Sequence, residues 1–375
     1  MIDFCIFFVT SECNSNCKNC FYKDKLNKTD DLSLEEIKIF SSKMGNFSTL
    51  LFSGGEPFLR KDLSDIVEIF INHNKVKLIS IPTNGINTET ILLTTEKILN
   101  RIKSTKVKLS VNPSIDALEN LSKILRGRDD AFLSVIETLK ELGVLKKRFN
   151  NLAIAVNTVV SSDNLSDLAN LIELIDGFKY VDFHNIEVIR PKFFNEYSKI
   201  CFNLISLKKI HFLATRKYIN RLRKDISNSR NAIRKLELIF KLSLRIGRLR
   251  YAQIIKEHFL SGKANLFRCP AGKDICVIES NGDVKLCELR ESIGNLRDNR
   301  YNLRRILNSD EAQNIRNKII KSCCNCTHIC FIDEYINLGL RFLKINIIFL
   351  VLYHFLKYIL IEMRNHLSDL LSTNI

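Results

Sequence analysis

Short apolar runs alternate with amphipathic stretches through the first half of the chain. Ile2 to Thr10 is an unbroken apolar, β-branched and aromatic run, and reads as a buried strand. Ser33 with Glu36 forms a capping box that opens a helix through about Met44. Thr49 to Ser53 is a second strand, and Asp62 can cap a helix to about His73. Val76 to Pro82 is a third strand, followed by a helix near Thr90 to Ile102. Val107 to Val111 is a fourth strand, and Asp130 can cap a helix that Gly143 should stop. Leu152 to Val160 is a fifth strand, Leu165 to Ile175 a helix ending at Gly177, and Tyr180 to Val188 a sixth strand.

Strands alternating with helices predict a parallel sheet in an α/β fold. A closed barrel needs eight such units, so six predict either a partial (βα)6 TIM-like barrel or a doubly wound sheet. In both, the chemistry belongs at the C-terminal ends of the strands. Four segments follow: the βα array (1–192), a helical arm (193–264), a cysteine-rich module (265–335) and an apolar tail (336–375). The tail fits a packed helix, an interfacial amphipathic helix on a membrane surface, or a span interrupted by charges.

Charge adds an acidic partner to the picture. Lys and Arg number 57 against 41 Asp and Glu, a net charge of +16. Between Leu207 and Glu257 about fifteen basic residues meet three acids, so the arm carries most of the excess. This is either a solvated helix face or a docking surface for an acidic partner or membrane. No GxGxxG, P-loop or HExxH pattern is present, which leaves common nucleotide and zincin readings unsupported.

The twelve cysteines carry the chemistry. Residues 1–9 lack the features of a signal peptide, so a cytoplasmic chain with reduced thiols is expected. Clustered cysteines are then metal ligands. Cys13, Cys17 and Cys20 form a CxxxCxxC array directly after the first strand, at the predicted rim. Three thiolates can hold three corners of a cubane cluster and leave one iron open, or can staple zinc with a distant fourth ligand. Ser53-Gly54-Gly55-Glu56-Pro57 follows the second strand; paired glycines permit close backbone approach to a ligand, and a carboxylate suits an ammonium.

With the triple-cysteine motif and the glycine-rich turn in this order, the sequence resembles the radical S-adenosylmethionine (SAM) superfamily. Thr83-Asn84-Gly85, Ser114-Ile115-Asp116 with Arg126-Gly127, and Asn157-Thr158 are similar to further turns of that family. The resemblance implies that Cys13, Cys17 and Cys20 hold a [4Fe–4S] cluster. It also implies that Gly54, Gly55, Glu56, Asn84, Ser114, Asp116, Arg126 and Asn157 bind SAM, Glu56 at its amino group, Ser114 and Arg126 near its ribose and carboxylate. The chain departs from the pattern at Ala117, where glycine is usual, at Asn120-Leu121-Ser122, and at Asn19, where Phe21 and Tyr22 could shield the cluster instead. His184, Glu187 and Arg190, on or past the sixth strand, are rim residues of either structural or binding use.

Cys269, then Gly282-x4-Cys287, then Cys323, Cys324, Cys326 and Cys330 resemble the SPASM or shorter twitch extension of that superfamily. Val277 to Glu279 and Val284 to Leu286 flank the turn Ser280-Asn281-Gly282-Asp283 and predict a hairpin, with Gly294-Asn295-Leu296 continuing it. The resemblance implies one auxiliary [4Fe–4S] cluster on Cys269, Cys287 and two of the four terminal cysteines, Cys326 and Cys330 preferred, with Cys276 left in the core. A zinc ribbon assisted by His328 is the alternative.

The implied activity is reductive cleavage of SAM and hydrogen abstraction from a substrate carbon by the 5′-deoxyadenosyl radical. The implied partners are SAM, a peptide or small-molecule substrate (a sugar or lipid among them), and an electron donor such as a flavodoxin or ferredoxin. Peptide or protein modification is the leading expectation, and the tail adds a possible membrane surface. A zinc-stapled, non-enzymatic nucleic-acid-binding protein is the competing class, and it leaves the glycine-rich turn and the six βα units unexplained.

Overall fold

The computed structural model describes residues 2–189 and 269–321, together with the isolated position 228. Six strands, β1 (Phe4–Thr10), β2 (Thr49–Gly54), β3 (Leu78–Thr83), β4 (Lys108–Pro113), β5 (Leu152–Val160) and β6 (Phe183–Val188), pair in parallel. They lie in sequential order. A doubly wound sheet would reverse that order, so the partial barrel is the architecture. The helices are α1 (Leu34–Met44), α2 (Leu63–Asn74), α3 (Thr88–Ile102), α4 (Glu119–Arg126), α5 (Ala131–Lys146) and α6 (Leu168–Gly177).

Period-two alternation divides the sheet into two faces. Cys5, Leu50, Ile79, Leu109 and Leu152 share one register level and are buried on the helix side. Phe7 packs there on Phe40, Phe52 and Phe70, with ring centroids 5.6, 6.2 and 6.0 Å away. Each such side chain contributes on the order of 2 kcal/mol. The opposite, concave face is apolar at β1 and β2, with Ile6, Phe8 and Leu51, and carries small and polar groups across β3 to β6. Leu51, Ser80, Ser110 and Ala153 lie at one level, with Asn112 and then Asn157 and Asn185 nearer the rim.

The helix ends depart from expectation for local reasons. Gly143 does not stop α5. A Cβ there would meet the Tyr180 ring at 2.7 Å, so glycine makes room for that ring inside the helix. Asp62 and Asp130 occupy N-cap positions without capping. Their carboxylates are taken by Arg60 (2.7 Å) and Arg128 (2.8 Å). α6 begins at Leu168 rather than Leu165, because Asn164 is spent on the Asp116 and Val159 carbonyls. α4 was not anticipated: it is short, and Leu118 at its N-cap gives no capping signal. It ends at Gly127, whose φ of +67° satisfies the left-handed stop.

A hairpin of β7 (Ile275–Ile278) and β8 (Asp283–Lys285), with the short β9 (Gly294–Asn295), extends the same sheet. β7 pairs in parallel with β1, Cys5 opposite Cys276, and both thiols are fully buried. The turn after β7 therefore points to the same rim as the loop after β1. Helices α7 (Leu303–Leu307) and α8 (Asp310–Lys321) follow.

The hairpin grips the first cysteine loop. Glu279, 3% exposed, holds Lys25, five residues after Cys20, and Lys285 (2.5 Å), two residues before Cys287. The Leu32 amide donates to the Ser280 carbonyl at 2.6 Å, and Arg297 pairs with Asp30 and Glu36. Glu279→Ala strands Lys285 in a site where it is only 12% exposed. It is expected to cost about 3 kcal/mol or more, against about 1 kcal/mol or less for Lys25→Ala at the exposed end. Denaturant unfolding of the two variants checks this, and equal costs would refute it.

Arg190, the basic arm (193–264), Cys323, Cys324, Cys326, Cys330, His328 and the tail (336–375) lie outside the described residues. No described helix is long and apolar enough to cross a membrane.

Candidate functional site

The loop after β1 is clamped on both flanks. Behind it, Thr10 Oγ1 donates to Asp31 (2.6 Å), the Ser11 amide donates to the same carboxylate (3.0 Å), and the Cys13 amide donates to Asn27 Oδ1 (2.9 Å). In front, it docks on the end of α4. Ser15 Oγ and the Asn16 amide donate to the Arg126 carbonyl (2.8 and 3.3 Å), and the Lys18 amide to the Leu125 carbonyl (2.9 Å). A helix C-terminus leaves such carbonyls without intrahelical partners, and here the cysteine loop supplies the donors. The approach is close enough that a Cβ on Gly127 would lie 2.6 Å from the Asn16 carbonyl oxygen.

The glycine-rich turn seals the third side. The Gly55 amide donates to the Thr10 carbonyl (2.9 Å) and the Glu56 amide to the Glu12 carbonyl (2.8 Å). The two glycines thus admit the chain's own cysteine loop. Glu56 is buried and its carboxylate accepts from the Asn84 amide (2.6 Å) and the Phe58 amide (3.2 Å). It ties the turn after β2 to the turn after β3. Asn84 Nδ2 in turn donates to Asn14 Oδ1 (2.7 Å), between Cys13 and Cys17.

On the far side, Ser114 and Asn157 meet in a β-bridge, and Asn185 Nδ2 donates to Asn157 Oδ1 (2.9 Å). Asp116 is fully engaged: one oxygen accepts from the Val159 amide (2.8 Å), the other pairs with Arg126 Nη2 (2.7 Å). Arg126 Nη1 reaches Cys17 Sγ at 3.8 Å, while its Nε is buried with no partner. The residues expected from sequence therefore converge on one rim. The clamps Asn14, Ser15, Asn27, Asp31 and Arg128, which donates to the Asn14 carbonyl (3.2 Å), escaped the sequence reading. They lie within or near the motifs, but side-chain-to-backbone bonds leave no periodic signal.

Burial sets the electrostatics. It pushes the Cys13 thiol up to about 11 and raises Cys20 as well, which favours the protonated thiols at neutral pH. Ligation must then release protons. Phe21 and Tyr22 pack on Phe8 beneath the loop. Burial also raises Glu56 from 4.5 to about 7 and lowers His184 from 6.5 to about 4. His184 Nε2 lies 2.8 Å from Thr158 Oγ1, which itself donates to the Ile115 carbonyl.

These two groups oppose each other with pH. Between 4.5 and 7 the folded chain keeps a proton on Glu56 that the unfolded chain releases, so this contribution falls as pH rises. Between 4 and 6.5 the unfolded chain binds a proton at His184 that the folded chain refuses, so that contribution rises with pH. Each is worth about 3 kcal/mol. Glu56→Gln should therefore gain about 3 kcal/mol more than the parent between pH 4.5 and 7 in guanidinium unfolding, and His184→Asn should lose about as much. Three parallel pH curves would refute both assignments.

Among the described residues, no three His, Cys, Asp or Glu side chains converge on a point that could hold a metal ion. Of the second cysteine group, Cys276 is core and Cys287 follows β8 as that strand runs back from the rim.

Comparison with known proteins agrees with this geometry. Residues 7–175 match the model of the radical SAM superfamily, and residues 269–327 match the SPASM iron–sulfur cluster-binding domain. An uncharacterized protein of Methanocaldococcus jannaschii is 31% identical over 193 residues, which is 50% of this chain and 63% of that one. A GTP 3′,8-cyclase of Haemophilus influenzae is 29% identical over 153 residues, 38% of this chain and 45% of the enzyme. The chain thus spans about half the length of the curated relatives it matches. Among solved structures, Streptococcus suis SuiB bound to SAM superposes with a TM-score of 0.57 at 16% identity, covering 84% of this chain and 68% of SuiB. The anSMEcpe structure with bound SAM gives 0.55 at 17% identity, covering 84% and 82%. At these identities the likeness is one of fold.

Residues 7–175 form a radical SAM domain. The chain also carries that superfamily's SPASM domain, and the cofactors of the pair are a SAM-binding [4Fe–4S] cluster and an auxiliary iron–sulfur cluster. The site fits such groups. Three cysteines share one clamped loop, and the buried Arg126 Nε–H lacks an acceptor.

Proposed function

We propose that this chain is a radical SAM enzyme that modifies a peptide. Cys13, Cys17 and Cys20 would hold the SAM-binding cluster, with Gly54, Gly55, Asn84, Ser114 and Asn157 around the SAM. When bound, the cluster and SAM together supply reductive cleavage of SAM to methionine and a 5′-deoxyadenosyl radical, which abstracts a substrate hydrogen. The protein's part is positional. The clamps from Asp31, Asn27 and α4 fix the cysteine loop, and the glycine-rich turn closes it. Glu56 and Asp116 serve as braces, because their carboxylates are already engaged by the protein. Cys269 and Cys287, with two of Cys323, Cys324, Cys326 and Cys330, would hold the auxiliary cluster. A flavodoxin- or ferredoxin-type donor would supply the electron.

The observation that carries this reading is the seating of the CxxxCxxC loop against the glycine-rich turn at the barrel rim. The peptide assignment draws on two solved structures of similar fold that include peptides: SuiB with the precursor peptide SuiA, and anSMEcpe with the Cp18Cys peptide. The concave wall is compatible. Ser80, Ser110, Asn112, Asn157 and Asn185 line it with neutral polar groups that bond to one another, and their remaining donors and acceptors suit amides. The GTP 3′,8-cyclase relatives make a small polar molecule the second reading. The test uses anaerobically reconstituted full-length protein with dithionite and SAM. Release of 5′-deoxyadenosine, with roughly eight irons per chain for two cubanes, is the expected result. Absence of deoxyadenosine from iron-loaded protein would overturn the proposal.

A further inference from the structure

We infer that Arg126 acts on the cluster through Cys17, as a charged hydrogen-bond donor to a ligand sulfur, and that Asp116 holds it there. The inference rests on the proposed cluster at Cys13, Cys17 and Cys20.

The contacts are consecutive along the loop. The Arg126 carbonyl accepts from Ser15 Oγ and from the Asn16 amide, and its guanidinium reaches the sulfur of Cys17. Main chain and side chain of one residue thus touch three successive residues of the motif. The guanidinium cannot swing freely to a second target. Nη2 is locked to Asp116 at 2.7 Å, and Asp116 is locked in turn by the Val159 amide at 2.8 Å. The Asp116 carbonyl is held as well, by Asn164 Nδ2 at 2.7 Å. The side chains of Arg126 and Asp116 are 12% and 15% exposed, so solvent screens their charges weakly. The family resemblance places this arginine at the SAM carboxylate. In this chain each terminal nitrogen already spends an N–H within the protein, Nη2 on the brace and Nη1 on the cysteine.

The consequence is electrostatic. Adding one electron makes a cluster more negative, and a fixed positive charge with an N–H aimed at a ligand sulfur favours the reduced form. Removing it must make reduction harder, which lowers the reduction potential. Outer groups of this kind tune a metal site without ligating it. Arg126 is thus a positioning and tuning residue.

The experiment is an EPR-monitored redox titration of the reconstituted full chain without SAM, on the parent, Arg126→Met and Asp116→Asn. Iron content is counted on each sample. Arg126→Met is expected to lower the reduced-to-oxidised ratio of the SAM-binding cluster about tenfold at fixed solution potential, a shift of about 59 mV for one electron. Asp116→Asn removes the neighbouring negative charge and leaves the guanidinium uncompensated, so it should shift the potential in the opposite direction, upward. SAM affinity is measured separately on the same samples. An unmoved potential with weakened SAM binding would overturn the inference and return Arg126 to the cofactor. If Arg126→Met does not load iron, Asp116→Asn decides the matter: an unmoved potential there overturns the inference too. A parent chain that never forms the cluster would instead sink the proposed function, so the two failures are distinct.

Discussion

Replacing Cys13, Cys17 and Cys20 together by Ala is expected to remove about four irons per chain, one cubane's worth, and to abolish 5′-deoxyadenosine formation. The loop itself should survive. Its clamps run through Thr10, Ser11, Ser15 and the backbone of Cys13, Asn16 and Lys18, none of which needs a thiol. Loss of iron would therefore report ligation rather than unfolding, and circular dichroism with the thermal midpoint of the cluster-free parent would establish it. Cys5 and Cys276 supply the contrast. They face each other across β1 and β7 at 0% exposure, so Ala at either should cost stability and leave the iron count alone. Cys269→Ala with Cys287→Ala should remove only the auxiliary iron and leave deoxyadenosine formation partly intact. Full iron and full cleavage in the triple variant would defeat the assignment of this loop.

Much of the fold was legible because it rests on period and punctuation. The Ser33–Glu36 capping box starts α1 where expected, and β5 spans the predicted residues. The parallel sheet follows from alternation alone. The hairpin after Cys269 was legible from its turn, and Gly282 does sit at a φ of +89°. That β7 would join β1 was not legible. Both are short apolar strands, and nothing local records which edge a strand adds to. The site was legible as motifs, and its internal wiring was not. Glu56 and Asp116 appear in sequence as ligand-binding acids, and in the structure their oxygens accept from Asn84, Phe58 and Val159 amides. Those partners lie up to 43 residues away, and a single sequence carries no sign of such pairings. Gly143 failed for a similar reason: its partner, the Tyr180 ring, arrives from beyond the next strand.

Gly55→Ala is expected to be among the most damaging single substitutions outside the cysteines. A Cβ at Gly55 would lie 2.0 Å from the Glu12 carbonyl oxygen, 2.6 Å from its carbon and 2.8 Å from the Ser11 carbonyl oxygen. Every one of these is backbone, so no side-chain rotation relieves the clash. Either the turn after β2 or the loop after β1 must move. Either movement breaks the Gly55-to-Thr10 and Glu56-to-Glu12 bonds that seat the cysteine loop. It also disturbs Glu56, whose two bonded amides brace the turn after β3. A cost of about 4 kcal/mol or more is expected, in the range reserved for such backbone strain. The reconstituted iron should drop toward the auxiliary cluster's share, because the loop that would hold the other cluster has lost its wall. Gly177→Ala is the control. It ends α6 with open space within 4 Å and no left-handed φ, so Ala there should be neutral or stabilise by up to about 1 kcal/mol. Equal stability and iron in both variants would mean that the turn after β2 does not seat the cysteine loop. The glycines would then be left with approach to SAM as their only role.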